Sequence, residues 1–286
     1  MASLRQIRRR IRSIQGTKQI MRAMQLVSGS KFKRAQSRLL QGRQIWTFLD
    51  ELLQRVLATQ SGLQHPLRAR HEQAPSALLV MTSDTGLAGS YNANLIQLAE
   101  SELRRDSSRP IQVGFIGKRG YRYFTKRGYA ARQAWIDLAG RPDIARIDEI
   151  GKTLMDQFLA GELSGVRLLY ARFVSAAVSR PSVKQWLPIQ LSSPVPIRNL
   201  QSEYICEPSA QRVFDDLLVR WAIATFRVTM LEALTSEHGA RMIAMKNATD
   251  NAEELLTNLT RQRNKIRQAS ITKEISEITG TAEALK

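Results

Sequence analysis

Apolar residues recur at helical spacing from the start of the chain: Leu4, Ile7, Ile11 and Ile14, then Met21, Met24 and Val27, with no proline before Pro66. This period predicts a long amphipathic helix. Ser28-Gly29-Ser30 interrupts the stripe with small residues, yet it resumes at Phe32, Ala35 and Leu39 and runs on to Leu57. We therefore read the three as a place where another backbone comes close, since an interior glycine otherwise costs a helix about 1 kcal/mol.

The far end carries the clearest periodicity. From Leu217 an alternating four-three step lands on Trp221, Ala224, Val228, Leu231, Thr235, His238, Met242, Met245, Thr249, Ala252, Leu256, Leu259, Arg263 and Ile266. Such a step is a heptad seam. Between Ser209 and Thr279 there is no proline and a single glycine, Gly239. An unbroken helix over that span would run roughly 105 Å at ~1.5 Å per residue, more than one globular core of this size can bury.

Between the helices the texture changes to short apolar runs bounded by Gly, Pro and Ser. Residues 77–82, 111–116, 166–174 and 183–191 read as strands, alternating with helical stretches at 92–104, 118–126 and 141–159. The expected architecture is α/β plus a long antiparallel coiled coil: the terminal helices, 1–57 and 208–286, pair with each other and flank a Rossmann-like domain, 75–206, with a mostly parallel sheet.

Charge and composition narrow the partners. The net charge of +18 invites a polyanion. Its distribution is uneven: residues 1–55 hold thirteen Lys/Arg against Asp50 and Glu51, whereas residues 208–286 hold eleven against ten acidic residues. The excess sits on the amino-terminal helix, which must face something negative or stay solvated. No apolar run approaches the roughly 20 residues that cross a bilayer, so membrane contact is expected only through a partner, with no direct insertion. Cys206 has no intrachain disulfide partner, and His65, His71 and His238 are too scattered for metal-ligand spacing.

Candidate chemistry is sparse. Ser83 to Asn92 forms a strand-to-helix turn where doubly wound sheets bind ligands, but it lacks G-x-G-x-x-G and is followed by no Gly-Lys-Ser/Thr. Gly117-Lys118-Arg119-Gly120 is similar to the glycine-clamped basic loop of RNA-binding KH domains, and equally suits an ordinary βα turn. The pairs Asp215-Asp216 and Glu253-Glu254 are adjacent, so on a helix they diverge by about 100° and form no acid/base couple. No catalytic, cofactor or metal site is expected.

The runs SLRQIRRRIRSIQGTKQIMRAMQLVSGSKFKRAQ and SEHGARMIAMKNATDNAEELLTNLTRQRNKIRQASITKEISEITGTAEAL resemble the two terminal signatures of F-type ATP synthase gamma subunits. TSDTGLAGSYNAN resembles that family's serine-aspartate-arginine-glycine-leucine loop, and RFVSAAVSRPSVKQWLPI its paired strands. The resemblance implies a non-catalytic rotor subunit, one copy per complex, whose coiled coil enters a ring of alternating alpha and beta subunits. It implies an epsilon subunit and a membrane c ring as further partners, no nucleic acid, and a peripheral place on the cytoplasmic side of a bacterial membrane. Carried over position by position, it implies beta-subunit contacts at Met24, Ala88, Arg267, Gln268 and Thr272, and c-ring contacts at Tyr204 and Glu207. Thr85 stands where the family usually has arginine, Ser90-Tyr91 replaces its glycine-leucine, and Cys206 replaces a common aromatic. The alternative is an RNA-binding module using Gly117–Gly120 and the basic amino-terminal helix. A nucleotide-dependent enzyme would need a ligand in the Asp84–Asn92 loop.

Overall fold

The computed structural model describes residues 4–59, 62–69, 71, 73–105, 110–138, 143–190 and 206–284. In chain order they form α1 (Leu4–Thr59), β1 (Ser76–Met81), α2 (Tyr91–Arg105), β2 (Ile111–Ile116), α3 (Lys118–Thr125), β3 (Ala131–Trp135), α4 (Ile144–Leu159), β4 (Gly165–Phe173), β5 (Ser179–Leu187) and α5 (Ala210–Ala284). A single 3-10 turn, Pro66–Arg68, follows α1. Both long helices run without a break, α1 through Ser28-Gly29-Ser30 and α5 through Gly239. The chain divides into two compact units, one of residues 1–28 with 242–286 and one of residues 29–241.

The larger unit holds the sheet, ordered β3-β2-β1-β4-β5. β1 lies parallel to β2 and β4, β2 parallel to β3, and β5 closes one edge antiparallel to β4. Leu78, Leu79, Val80 and Met81 of β1 are all buried, because helices cover both faces. Leu78 and Val80 face the layer of Leu95, Ala99 and Phe124, whereas Leu79 and Met81 face the layer of Ile147, Leu154, Phe158 and Phe226. A strand covered on both sides shows a continuous apolar run instead of alternation.

Two strands depart from the sequence expectation. β3 was not anticipated: its residues, Ala-Arg-Gln-Ala-Trp, have no apolar run, and as an edge strand it needs only backbone pairing with β2. β5 begins at Ser179, four residues before the expected start, and ends at Leu187 before Pro188. Its polar opening is held by the hairpin turn, where Val174 N–H donates to the Val178 carbonyl at 3.2 Å, and Pro181 is tolerated because the strand is an edge.

Within this unit α1 and α5 pack antiparallel. Trp46 Nε1 donates to Thr225 Oγ1 at 2.8 Å, Trp221 Nε1 to Asp50 Oδ1 at 2.8 Å, and Arg43 pairs with Glu232 at 2.6 Å. Phe32 lies against Gly239, where a Cβ would stand 2.9 Å from the Ala176 carbonyl oxygen. The smaller unit is likewise an antiparallel helix pair: Ile7 and Ile11 bury against Leu259, and Lys18 reaches Glu253 at 3.1 Å. Past Ile266 every described side chain of α5 is exposed.

The ends of β1 and β2 touch so closely that side-chain volume is excluded between them. Gly117, at φ 90°, would place a Cβ 2.1 Å from the Thr82 carbonyl oxygen, and the Gly120 N–H donates to Thr82 Oγ1 at 2.8 Å. Gly117→Ala is expected to destabilise the folded chain by about 3 kcal/mol or more, through left-handed strain and a backbone clash together, read as a fall in the urea midpoint.

His238 gives a second test. It is buried in the seam with Nδ1 unpartnered, and burial, then the charges of Arg241 and Lys31, lower its pKa from 6.5 to about 4. The unfolded chain therefore takes up this proton first as pH falls. The stability difference is absent above 6.5, grows against the native state between 6.5 and 4, and is constant below. His238→Leu should remove that part of the acid-induced loss, on the order of a few kcal/mol at pH 4, measured as the pH dependence of unfolding free energy for both chains.

Candidate partner-contact surfaces

The loop after β1 is the most constrained segment of the larger unit. The Ser83 N–H donates to Asn92 Oδ1 at 3.0 Å, and Ser83 Oγ donates to the Thr85 carbonyl at 2.6 Å. Asp84 Oδ1 accepts the N–H groups of Lys118 and Asp137, both at 3.1 Å. The Asp84 carboxylate is thus used to join the segments after β2 and β3.

From the other side Arg241 of α5 reaches into the loop. Its Nη2 donates to the Thr85 carbonyl at 3.1 Å and its Nε to the Gly86 carbonyl at 3.3 Å, while Nη1 meets Glu237 Oε1 at 2.8 Å. Both side chains of this ion pair are buried, 8% and 3% exposed. Burial raises the Glu237 pKa while the Arg241 charge opposes the rise, as for a carboxylate out of water beside a fixed cation. Tyr91 adds a second tie, its hydroxyl donating to the Ala233 carbonyl at 3.1 Å. Because Arg241 uses carbonyls, threonine at position 85 leaves this clamp intact. Sequence reading missed it, although a Glu and an Arg four residues apart on a helix were visible.

The clamped loop turns its residues in opposite directions. Ala88, the expected contact, is 2% exposed and packs into the chain's own core with Tyr91 and Leu95. Leu87, at φ 62°, is 60% exposed and is the apolar side chain the loop offers outward.

The Gly117–Gly120 segment is a βα turn. Its glycines are required by Thr82, Lys118 Nζ is paired with Asp137 Oδ1 at 2.6 Å, and the Arg119 N–H donates to the Ser83 carbonyl at 3.0 Å. The features that suggested an RNA clamp are thereby accounted for within the fold, and the RNA-binding reading is not supported. The Arg119 side chain lies over Gly86, at the mouth of a groove of about 720 Å³ between α2 and α3.

In the smaller unit Met24 is half-buried, and Arg267, Gln268 and Thr272 are exposed on α5 beyond its paired part. Thr272 Oγ1 donates to the Gln268 carbonyl at 3.0 Å, leaving its lone pairs outward. Met24 lies past the Lys18–Glu253 pair and Arg267 past Ile266, so these positions flank opposite ends of the paired part of that unit. Glu207 is exposed just before α5, and Tyr204 lies outside the described residues. Among the described residues no group of three His, Cys, Asp or Glu could hold a metal ion, and no helix is long and apolar enough to cross a membrane.

A family model described as ATP synthase matches residues 3–285. The ATP synthase gamma chain of Symbiobacterium thermophilum is 41% identical over 282 residues, 98% of this chain and 97% of that one. The gamma chain of Desulforamulus reducens is 40% identical over 286 residues, the full length of both. Among solved structures, a chain of the Euglena gracilis mitochondrial ATP synthase, from its OSCP/F1/c-ring assembly, aligns over 99% of this chain and 94% of that chain with a TM-score of 0.67 at 16% identity, a likeness of fold. The chain belongs to the ATP synthase gamma-chain family.

Proposed function

We propose that this chain is the central-stalk rotor subunit of an F-type ATP synthase, coupling ion flow through a membrane c ring to the catalytic states of an alpha/beta ring. It makes no bonds itself. The observation that carries the reading is the pair of unlike helices in the smaller unit. Between Leu4 and Ser28, α1 carries seven Lys/Arg and no acidic residue, whereas the facing part of α5 mixes both signs and continues alone past Ile266.

Three chemically identical catalytic sites are held in different states only by something that touches each differently, and a two-helix rod with unequal faces does so. Turning the rod exchanges the sites' affinities, and by reciprocity nucleotide binding turns the rod. The cations of α1 supply long-range guidance toward acidic surface on the catalytic subunits. Met24, Arg267, Gln268 and Thr272 are the proposed beta contacts in the smaller unit. In the other unit the Gly86–Gly89 loop would meet a beta subunit through Leu87, with Ala88 setting the loop from behind. Tyr204 and Glu207 are proposed to meet the c ring. An epsilon subunit completes the stalk, and the complex places the chain peripherally at the cytoplasmic side of a bacterial membrane.

Coexpression with alpha and beta subunits, the epsilon subunit and the membrane sector with its c ring tests this directly. Complexes with the full chain should hydrolyse ATP and pump ions. A truncation before Arg267 should lower ions pumped per ATP several-fold while leaving measurable hydrolysis. Equal coupling with and without the chain, or ATP hydrolysis by the isolated chain at the rate of the complex, would overturn the reading.

A further inference from the structure

A groove of about 530 Å³ opens between α1, the β4–β5 hairpin and α5, within the larger unit. Lys184 of β5 stands half-buried in its wall, with Nζ 5.8 Å from the centre of the Trp46 ring. Lys184 pairs in register with Leu168, and Leu168, Tyr170 and Arg172 share one face of β4, so the pleat turns Lys184 and Arg172 to the same side. Arg172 is exposed at the rim, and Phe173 continues the aromatic side begun by Trp46. The one carboxylate lining the groove, Glu232, already holds Arg43 at 2.6 Å. Arg172 and Lys184 are thus left as an excess of positive charge beside apolar surface.

The charged and titratable groups around Lys184 are Arg43 and Asp50 of α1, Tyr170 and Arg172 of β4, and Glu232 of α5. Burial pushes the Lys184 amine below its ordinary 10.5, and the carboxylates of Glu232 and Asp50 oppose that shift without cancelling it. More of this amine is therefore free, the form that carries a nucleophilic lone pair. A nucleophile, a guanidinium suited to phosphate and an apolar wall for a short carbon chain meet in one cavity. We propose that the groove binds small acyl phosphates and that Lys184 is acylated by them. The Lys184 nitrogen attacks the acyl carbon and a C–N bond forms. The bond from that carbon to the phosphate oxygen breaks, phosphate leaves with the electron pair, and the proton lost by the amine passes to it. Arg172 holds the phosphate, and Trp46 and Phe173 cover the acyl chain. Acylation discharges Lys184, one of the cations facing Glu232.

The test incubates the full chain with acetyl phosphate and follows acetylation of each lysine by quantitative mass spectrometry. Lys184 should be acetylated several-fold faster than Lys152, which is exposed on α4. Arg172→Gln should slow the reaction at Lys184 about tenfold, the loss expected for one charge-assisted phosphate contact. With a phosphate-free donor, N-hydroxysuccinimidyl acetate, the same variant should label Lys184 at the unsubstituted chain's rate, which also reports an intact groove. Inorganic phosphate should compete with acetyl phosphate at Lys184 and not at Lys152. Acetylation of Lys184 no faster than that of Lys152 overturns the proposal. So does a rate indifferent to both Arg172→Gln and phosphate, which would leave a reactive amine without a phosphate site. An equal loss with both donors overturns the phosphate contact. Phosphate that shields Lys184 from the ester, with acetyl phosphate unreactive there, overturns acylation in favour of a plain anion site.

Discussion

In the larger unit, the stretch of α5 from Ala222 to Gly239 is buried nearly all round, and most of the unit's remaining structure follows from that enclosure. One side is taken by α1, the other by the sheet and α4. A helix enclosed on every side is ordinarily apolar on every side. This one carries Thr225, Thr229, Glu232, Thr235, Ser236, Glu237 and His238. The hydroxyls are satisfied: Thr229 and Thr235 donate to carbonyls one turn back, Ser236 to Ala171 of β4, and Thr225 accepts from Trp46. The carboxylates each hold an arginine, Glu232 from α1 and Glu237 from its own helix. Breaking a buried pair by removing one member costs far more than the pair contributes, so these residues fix the positions of α1, β4 and the loop after β1 rather than adding net stability.

What was legible in the sequence was whatever repeats. The heptad step from Leu217 to Ile266 is a physical period, and the structure buries or half-buries that seam throughout. β1, β2 and β4 were visible because helices cover both their faces and their residues are accordingly apolar, whereas β5 showed only its later part, which ends in the buried Trp186 and Leu187. β3 was invisible for the converse reason, an edge strand whose partner demands only backbone. The Arg241 clamp was invisible because it links a side chain to the carbonyls of Thr85 and Gly86, more than 150 positions away, and carbonyls carry no residue identity. The loop was found but its orientation was not. Whether Leu87 or Ala88 faces outward turns on one backbone angle, which only the crowding around Gly86, Arg119 and Tyr91 decides.

The charge excess sorts by unit. In the smaller unit the seven cations of α1 meet few acids, Lys18 with Glu253 being the pair formed among the described residues. In the larger unit Lys118, Arg132, Arg167 and Arg227 are matched by carboxylates, whereas the exposed cations of α3 have no such partner among the described residues. Net charge says little about fold, but its unpaired part marks where other molecules are favoured.

The lone end of α5 has a mechanical consequence. Between Leu4 and Ile266 a twist applied to the smaller unit is resisted by two helices locked through Ile7, Ile11 and Leu259. Beyond Ile266 one helix resists it alone, with Ile271, Ile275 and Ile278 uncovered. A single helix is softer in torsion and bending than a locked pair, so elastic compliance concentrates in that last segment. The same residues that would grip a neighbour most intimately are thus mounted on the most yielding part of the rod, and angular mismatch is absorbed there before it reaches the paired region.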